Sequence, residues 1–377
     1  MYQISKEPTI RNKNIFITGI TGFLGSCLAK ELLKEPNTKL TALVRHYGNK
    51  SAHKRVEETL SGYDTSGIEI VEGDIAKPNL GFSSQLESKL IKEIDEIWHL
   101  AGSTDMGGKR TETFLNNVEG TNNVLEFANK IPKLRLFNYA STAYVAGDRQ
   151  GTVLEEELDV GQKFRNPYEE SKFEAEKIVR AYLANDIKGV IFRPSILTGN
   201  SLTGETQNFK MIYAPWMMVD LAKRMFLKRT KDLNYDNEGN LILPLRVIGK
   251  EDATINIIPV DYAIVMMLRI AESEEGIGKT FHLTNPEYTT LGVLRDVISK
   301  RLRVSGIECV DSFKGQNPNF IERFYERSAR PYQPYMLNND PTFDMSNTRS
   351  IIHDLNIPKP NAELLTTLLN YCISTID

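Results

Sequence analysis

Apolar and polar positions follow two rhythms along the first half of the chain. Short apolar, β-rich runs at Asn14–Thr18 (NIFIT), Lys39–Val44 (KLTALV), Ile68–Val71, Glu96–Leu100 (EIWHL), Leu134–Ala140 and Gly189–Phe192 (GVIF) predict six strands. Longer stretches lie between them. Leu24–Lys34 reads as a helix after the first strand, and Arg110–Lys130 as a long helical segment whose apolar residues Phe114, Leu115, Val118, Val124, Leu125 and Phe127 fit a helical face reasonably well. Strand and helix in alternation predict an α/β fold with a doubly wound parallel sheet, helices on both faces.

The second half loses this regularity. Ser195–Gln207 and Thr230–Asn240 are polar and read as loops, while Met211–Lys228 is an apolar, Met-rich helix. Strands return at Ile255–Ile258 and Thr280–Leu283, a helix at Leu291–Leu302, and Asn317–Asn347 is a tail rich in Pro, Asn and aromatic residues. The expected organisation is a nucleotide-binding domain over residues 1–195, completed by about 250–285, with a smaller substrate lobe from 196–249 and 286–377.

Composition narrows the function. With 41% hydrophobic and 25% charged residues and a net charge of −3, the chain is ordinary globular protein without the basic field that nucleic-acid or membrane-surface binding needs. The apolar stretch Ile255–Ile270 is broken by Pro259, Asp261 and Arg269 and is too short to span a bilayer. The N-terminal MYQISKEPTIRNK lacks the apolar core of a signal peptide, and a reducing cytoplasm is the expected location. Cys27, Cys309 and Cys372 and the five histidines show no metal-binding spacing, so no metal is expected.

Between the first strand and first helix runs TGITGFLG, with Gly19, Gly22 and Gly25. Side chains at these positions would obstruct a tight turn, the approach of a pyrophosphate, or close helix–strand packing. The free amides of the following helix then favour an anion. This is a dinucleotide-binding signature of the Rossmann type in its required strand–turn–helix context. The second strand ends in Val44-Arg45, where an acid would suit NAD; an arginine there suits a 2′-phosphate, with Lys54 and Arg55 nearby, and NADP(H) is the expected cofactor. Asp74, after the third strand, is placed to accept from an adenine amino group or simply to form a turn.

Asn166-Pro-Tyr-Glu-Glu-Ser-Lys172 opens a helix, with Asn166 as the cap, Pro167 in the first turn and Glu169 and Glu170 complementing the dipole. Tyr168 and Lys172, four apart, share one face. An ammonium beside a phenol favours the phenolate, so this pair can give a proton to a carbonyl oxygen or take one back. Ser141 and Thr142 end the fifth strand. Successive strand residues face opposite ways, so one of the two orients the substrate oxygen; Thr142 is preferred and Ser141 is the alternative.

These motifs together resemble the extended short-chain dehydrogenases/reductases. The likeness rests on TGITGFLG, the EGDI around Asp74, the HLAG of His99–Gly102, the NVEGT of Asn117–Thr121, STAYV and YEESKFEAEK. RPSILTGNSLTG from Arg193 and IIPVDY from Ile257 narrow it to the branch of carrier-protein thioester reductases and fatty acyl-CoA reductases of the male sterility type. The resemblance implies a cofactor site from Gly19, Thr21, Gly22, Phe23, Leu24, Gly25, Arg45, Arg55, Asp74, Ile75, Leu100, Ala101, Gly102, Asn117, Tyr168, Lys172, Pro194, Ser195 and Ile196. It implies NADPH-dependent reduction of an acyl thioester to aldehyde or alcohol, on a small-molecule or carrier-tethered substrate, with an acyl or peptidyl carrier protein as a partner. The Met/aromatic run at Met211–Met218 suits either an acyl tunnel or ordinary core. Two other functions fit the scaffold: a nucleotide-sugar epimerase or dehydratase, which would retain NAD, and a non-catalytic NADP-binding regulator. As in many relatives, helices Arg110–Lys130 and Asn166–Ala184 could pair across a homodimer; a monomer is the other expectation.

Overall fold

The computed structural model describes residues 13–185 and 187–376; residues 1–12, which carry most of the segment read for a signal peptide, lie outside them. The chain divides into two compact units. One runs up to Ser141 and takes in Pro167–Phe192 and Met267–Phe281; the other comprises Thr142–Asn166, Arg193–Met266 and His282–Asp377.

The central sheet has seven strands: β1 Lys13–Thr18, β2 Thr38–Val44, β3 Ile68–Glu72, β4 Glu96–His99, β5 Leu136–Ala140, β6 Gly189–Pro194 and β7 Thr280–Leu283. Their order is β3-β2-β1-β4-β5-β6-β7. β1 pairs in parallel with β2 and β4, β2 with β3, β4 with β5, and β5 with β6. The order reverses between β1 and β4. In a doubly wound sheet that reversal opens a crevice at the carboxyl ends of the strands, where ligands bind.

The inner strands are buried on both faces, as a helix-covered parallel sheet requires, while the edge strand β3 mixes Ile and Glu. Ile15, Phe16 and Ile17 are all fully buried. Phe16, Ile97, Phe137 and Ile191 come from β1, β4, β5 and β6 and share one core with Phe82, Val124, Phe127 and Val179. Within it the Phe16 ring centroid lies 5.1 Å from Phe127 and 6.4 Å from Phe82. Burying each such ring contributes roughly 1.5–3 kcal/mol.

The first unit's helices include α1 Phe23–Leu32, α2 Ala52–Thr59, α3 Ser84–Glu93, α4 Gly120–Asn129 and α5 Pro167–Leu183. Ser51 and Ser83 cap α2 and α3 by accepting from Lys54 and Leu86 amides. The single helix expected over Arg110–Lys130 is helical but not uniform. Arg110–Phe114 runs into a π-helical turn at Leu115–Glu119 before α4 begins. Apolar spacing alone does not distinguish that wide turn from an α turn.

In the second unit, Leu241–Ile248 pairs in parallel with Val304–Val310, with a register shift between Ser305 and Ile307. Neither strand was expected. Leu241–Ile248 alternates buried and more exposed positions cleanly, but Pro244 sits in its middle and argues against a strand in sequence. The expected strand Ile255–Ile258 is two short ones, Thr254–Ile255 and Ile257–Pro259. Asn256 breaks it: its amide donates to Asp340 Oδ2 at 2.8 Å, and its side chain bonds the Asn285 backbone in both directions. The expected loop Ser195–Gln207 contains a short strand, Ile196–Thr198, paired with Ile257–Pro259. The tail rich in Pro, Asn and aromatic residues holds helix Phe320–Ala329, which has a complete capping box from Asn319 and Glu322. Met218 and Trp216 are buried in helix Tyr213–Arg229. Among the described residues no helix is long and apolar enough to cross a membrane.

Candidate active site

The glycine turn leaves β1 at Thr18 and enters α1 at Phe23. Gly19 has φ +82°, and a Cβ there would stand 2.7 Å from the Ala101 amide nitrogen at the end of β4. A Cβ on Gly25 would collide with the Gly19 carbonyl oxygen. These two glycines are therefore demanded by the protein's own packing. Gly22 differs. It is exposed, and its Cβ would meet only the Gly19 oxygen, at 3.2 Å. It is also the cap position of α1, and no side chain caps that end. An open backbone surface at an uncapped helix N-terminus suits a pyrophosphate. By this test the turn fits a dinucleotide, with Thr21, Phe23 and Leu24 flanking it.

Two guanidinium groups stand at the end of β2. Arg45 is exposed. Arg55, on α2, donates to the Arg45 carbonyl at 2.6 Å and to Thr21 Oγ1 at 3.0 Å, reaching back into the glycine turn. Both lie 5.8 Å from the Tyr47 ring. The Arg55 pKa is lowered, first by partial burial and then by the positive charge of Arg45. Two cations held close without an intervening carboxylate in these contacts are arranged for an anion.

Asp74 accepts from the Ala76 amide at 3.0 Å, so one carboxylate oxygen forms the local turn. Ile75 packs under α4, its side chain against Gly120. Leu100, Ala101 and Gly102 leave β4. The Leu100 amide donates to the Thr18 carbonyl, and Ala101 donates to Thr18 Oγ1. Asn117, in the π turn, accepts from the Ser103 amide at 2.6 Å. It donates to the Ser103 carbonyl at 3.0 Å and to Ser171 Oγ at 2.8 Å. It ties the segment after β4 to α5.

Tyr168 is the second residue of α5 and is half-buried. Lys172 is buried and donates to Tyr139 Oη at 2.9 Å and to the Ala140 carbonyl at 2.6 Å. Burial lowers the Lys172 pKa to about 7, and the charge of Glu176 opposes the drop. Tyr139 is pushed well above its ordinary value, chiefly by burial and next by Glu176, with Tyr168 a lesser contributor. His99 bridges Thr18 Oγ1 at 2.8 Å and Thr121 Oγ1 at 3.0 Å. Burial, with Lys172 second, holds its pKa down at about 3. Ser141 Oγ donates to Glu176 Oε2 at 2.6 Å.

The first unit thus brings together the glycine turn, Arg45, Arg55, Asp74, Ile75, Leu100–Gly102, Asn117, Ser141, Tyr168 and Lys172. Thr142, Pro194, Ser195 and Ile196 belong to the second unit. There Thr142 Oγ1 donates to the Pro194 carbonyl at 3.4 Å and accepts from the Tyr144 amide at 3.3 Å. Ser195 donates its amide to the Leu283 carbonyl, and its buried hydroxyl has no partner among the described residues. Ile196 pairs with Ile257. Tyr139, His99 and Glu176 escaped the sequence reading as site residues. The four-residue step from Lys172 to Glu176 was the available signal for the last of them.

A profile of the family described as "Male sterility protein" matches residues 17–267. The nonribosomal peptide synthetase asaC of Aspergillus flavus is 26% identical over 309 residues, covering 76% of this chain and 28% of that protein. A probable fatty acyl-CoA reductase 5 of Arabidopsis thaliana is 33% identical over 178 residues, covering 42% of this chain and 36% of its own length. The chain therefore spans about a third of these relatives, or less. Among solved structures, the terminal R domain from the myxalamid PKS-NRPS biosynthetic pathway superposes with a TM-score of 0.77 at 23% identity, covering 98% of this chain and 92% of that one. That likeness establishes the fold.

Proposed function

This chain belongs to the male sterility protein family, and on that premise we propose that it is an NADPH-dependent reductase of acyl thioesters. The substrate is an acyl group carried on CoA or on a carrier protein, and the product is the aldehyde or the alcohol. The observation that carries this reading is Lys172, a buried cation one helical turn from Tyr168, in the same unit as a glycine turn flanked by Arg45 and Arg55.

When bound, the reduced nicotinamide supplies the hydride. The amides of the turn and of α1 hold the pyrophosphate, and Arg45 and Arg55 hold a 2′-phosphate. Lys172 holds the nicotinamide ribose and favours proton transfer at Tyr168 Oη. Tyr168 donates to the substrate carbonyl oxygen, and Thr142 hydrogen-bonds the same oxygen as charge develops on it. The hemithioacetal then collapses to aldehyde and free thiol. None of these steps needs a nucleophilic cysteine. A carrier domain of the kind found in peptide synthetases is the partner we propose for the tethered substrate.

The test is NADPH consumption with a panel of acyl-CoAs, acyl-carrier thioesters, aldehydes and UDP-sugars, with Tyr168→Phe as the control. Thioester-dependent oxidation lost by about a hundredfold or more in the variant is expected. Purified protein that carries stoichiometric NAD and ignores thioesters would instead be an epimerase or dehydratase.

A further inference from the structure

Lys172, Glu176 and Arg180 recur every four residues along α5 and share one face of it. Glu176 is fully buried. Its Oε2 accepts from Ser141 Oγ at 2.6 Å, and its Oε1 accepts from Arg180 Nε at 3.0 Å. Arg180 in turn donates to Thr280 Oγ1 at 3.1 Å, on β7. One turn back, Lys172 grips Tyr139 and Ala140. Three consecutive residues at the end of β5 are thus held from a single helix face.

We propose that Glu176 is a positioning residue for the reaction: it accepts the Ser141 hydrogen bond, leaving Thr142 as the hydroxyl that donates to substrate, and its charge favours the ammonium form of Lys172. The proposal rests on the reductase reading above. A serine hydroxyl has one proton, and an ionised carboxylate can only accept, so the direction of the Ser141–Glu176 bond is set. Its length is that of a charge-assisted bond. For Ser141 to serve the substrate, that bond would have to break and strand a buried carboxylate oxygen, whereas Thr142 has only a 3.4 Å bond to the Pro194 carbonyl to give up. Among the described residues, the other titratable groups near Lys172 are Tyr139 on β5, His99 on β4 and Tyr168 on α5. Burial keeps Tyr139 and His99 neutral at physiological pH. Glu176 is then the countercharge that works against the desolvation of Lys172.

Two readouts separate this proposal from the substrate reading: NADPH affinity against pH by fluorescence, which needs no turnover, and kcat/KM against pH with the best thioester. Glu176→Gln should move the high-pH midpoint of both downward by about one pH unit. Glu176→Asp, which keeps the charge but shortens its reach by one methylene, should move it downward by less; if Glu176→Gln does not fold, this variant decides. Ser141→Ala should cost less than about tenfold in kcat, and Thr142→Ala about a hundredfold or more. Unmoved midpoints, or equal losses in the two hydroxyl variants, overturn the proposal. Shifted NADPH midpoints in a protein inert towards every thioester support the Glu176–Lys172 coupling and defeat the substrate reading instead.

Discussion

Lys172 Nζ donates to the carbonyl oxygen of Ala140 at 2.6 Å, which fastens a buried cation to the last residue of β5. The fold holds this ammonium out of water, and its pKa falls to about 7. In the unfolded chain a lysine titrates near 10.4. Between those two values the unfolded state binds a proton that the native state has released, so stability rises with pH across that window. Below about pH 7 the full cost of the buried charge is present. Lys172→Met should flatten this slope by about one proton, read as denaturation midpoints across the pH range. Parallel slopes for the two proteins would falsify the assignment.

The glycine turn separates packing from ligand contact. Gly25→Ala drives a Cβ into the Gly19 carbonyl and should destabilise the fold by about 1–3 kcal/mol. On Gly22 a Cβ would stand 3.2 Å from the Gly19 carbonyl oxygen, a tight contact but not a collision, so Gly22→Ala should move the urea midpoint much less than Gly25→Ala. It should nevertheless weaken NADPH binding by about tenfold or more, because the methyl occupies the surface offered to the pyrophosphate. Equal loss of stability in both variants would contradict this division.

Arg45 and Arg55 make a prediction about cofactor choice. Arg45→Ala should weaken NADPH by roughly ten- to a hundredfold, the value of a charge-assisted phosphate contact, and NADH by about threefold at most. Arg55→Ala should affect both cofactors, since that side chain also braces Thr21. Titration of each variant with each cofactor measures this. A uniform loss in Arg45→Ala would mean that the residue does not read the 2′-phosphate.

Asn117 bonds the Ser103 amide, the Ser103 carbonyl and Ser171. Asn117→Ala leaves these groups without those bonds and should cost about 2–3 kcal/mol in chemical denaturation. A change below about 0.5 kcal/mol would show that water replaces the amide without penalty.

The parallel sheet is legible because its inner strands are buried on both faces and read as short, mostly apolar runs. The phosphate turn was legible because three glycines stood between a strand and a helix. Lys172 was visible by its spacing from Tyr168, but its partners were not. Tyr139 and His99 lie on other strands, and only the sheet's register brings β4 and β5 side by side. Leu241–Ile248 and Val304–Val310 stayed hidden for a related reason. They pair across about sixty residues of intervening chain, and no local pattern announces so distant a partner. At Ser141 and Thr142 the alternation of strand faces separates the two, and the partner of Ser141, Glu176, lies 35 residues on, beyond any local pattern.

The π turn at Leu115–Glu119 carries one residue more than an α turn needs. A one-residue deletion would return it to regular α-helix. Erasing it would rotate everything on the C-terminal side by about 100° about the helix axis. Thr121, which meets His99, and Phe127, which packs on Phe16, would then face new neighbours together. The segment therefore tolerates exchange of residues far more readily than any change in their number.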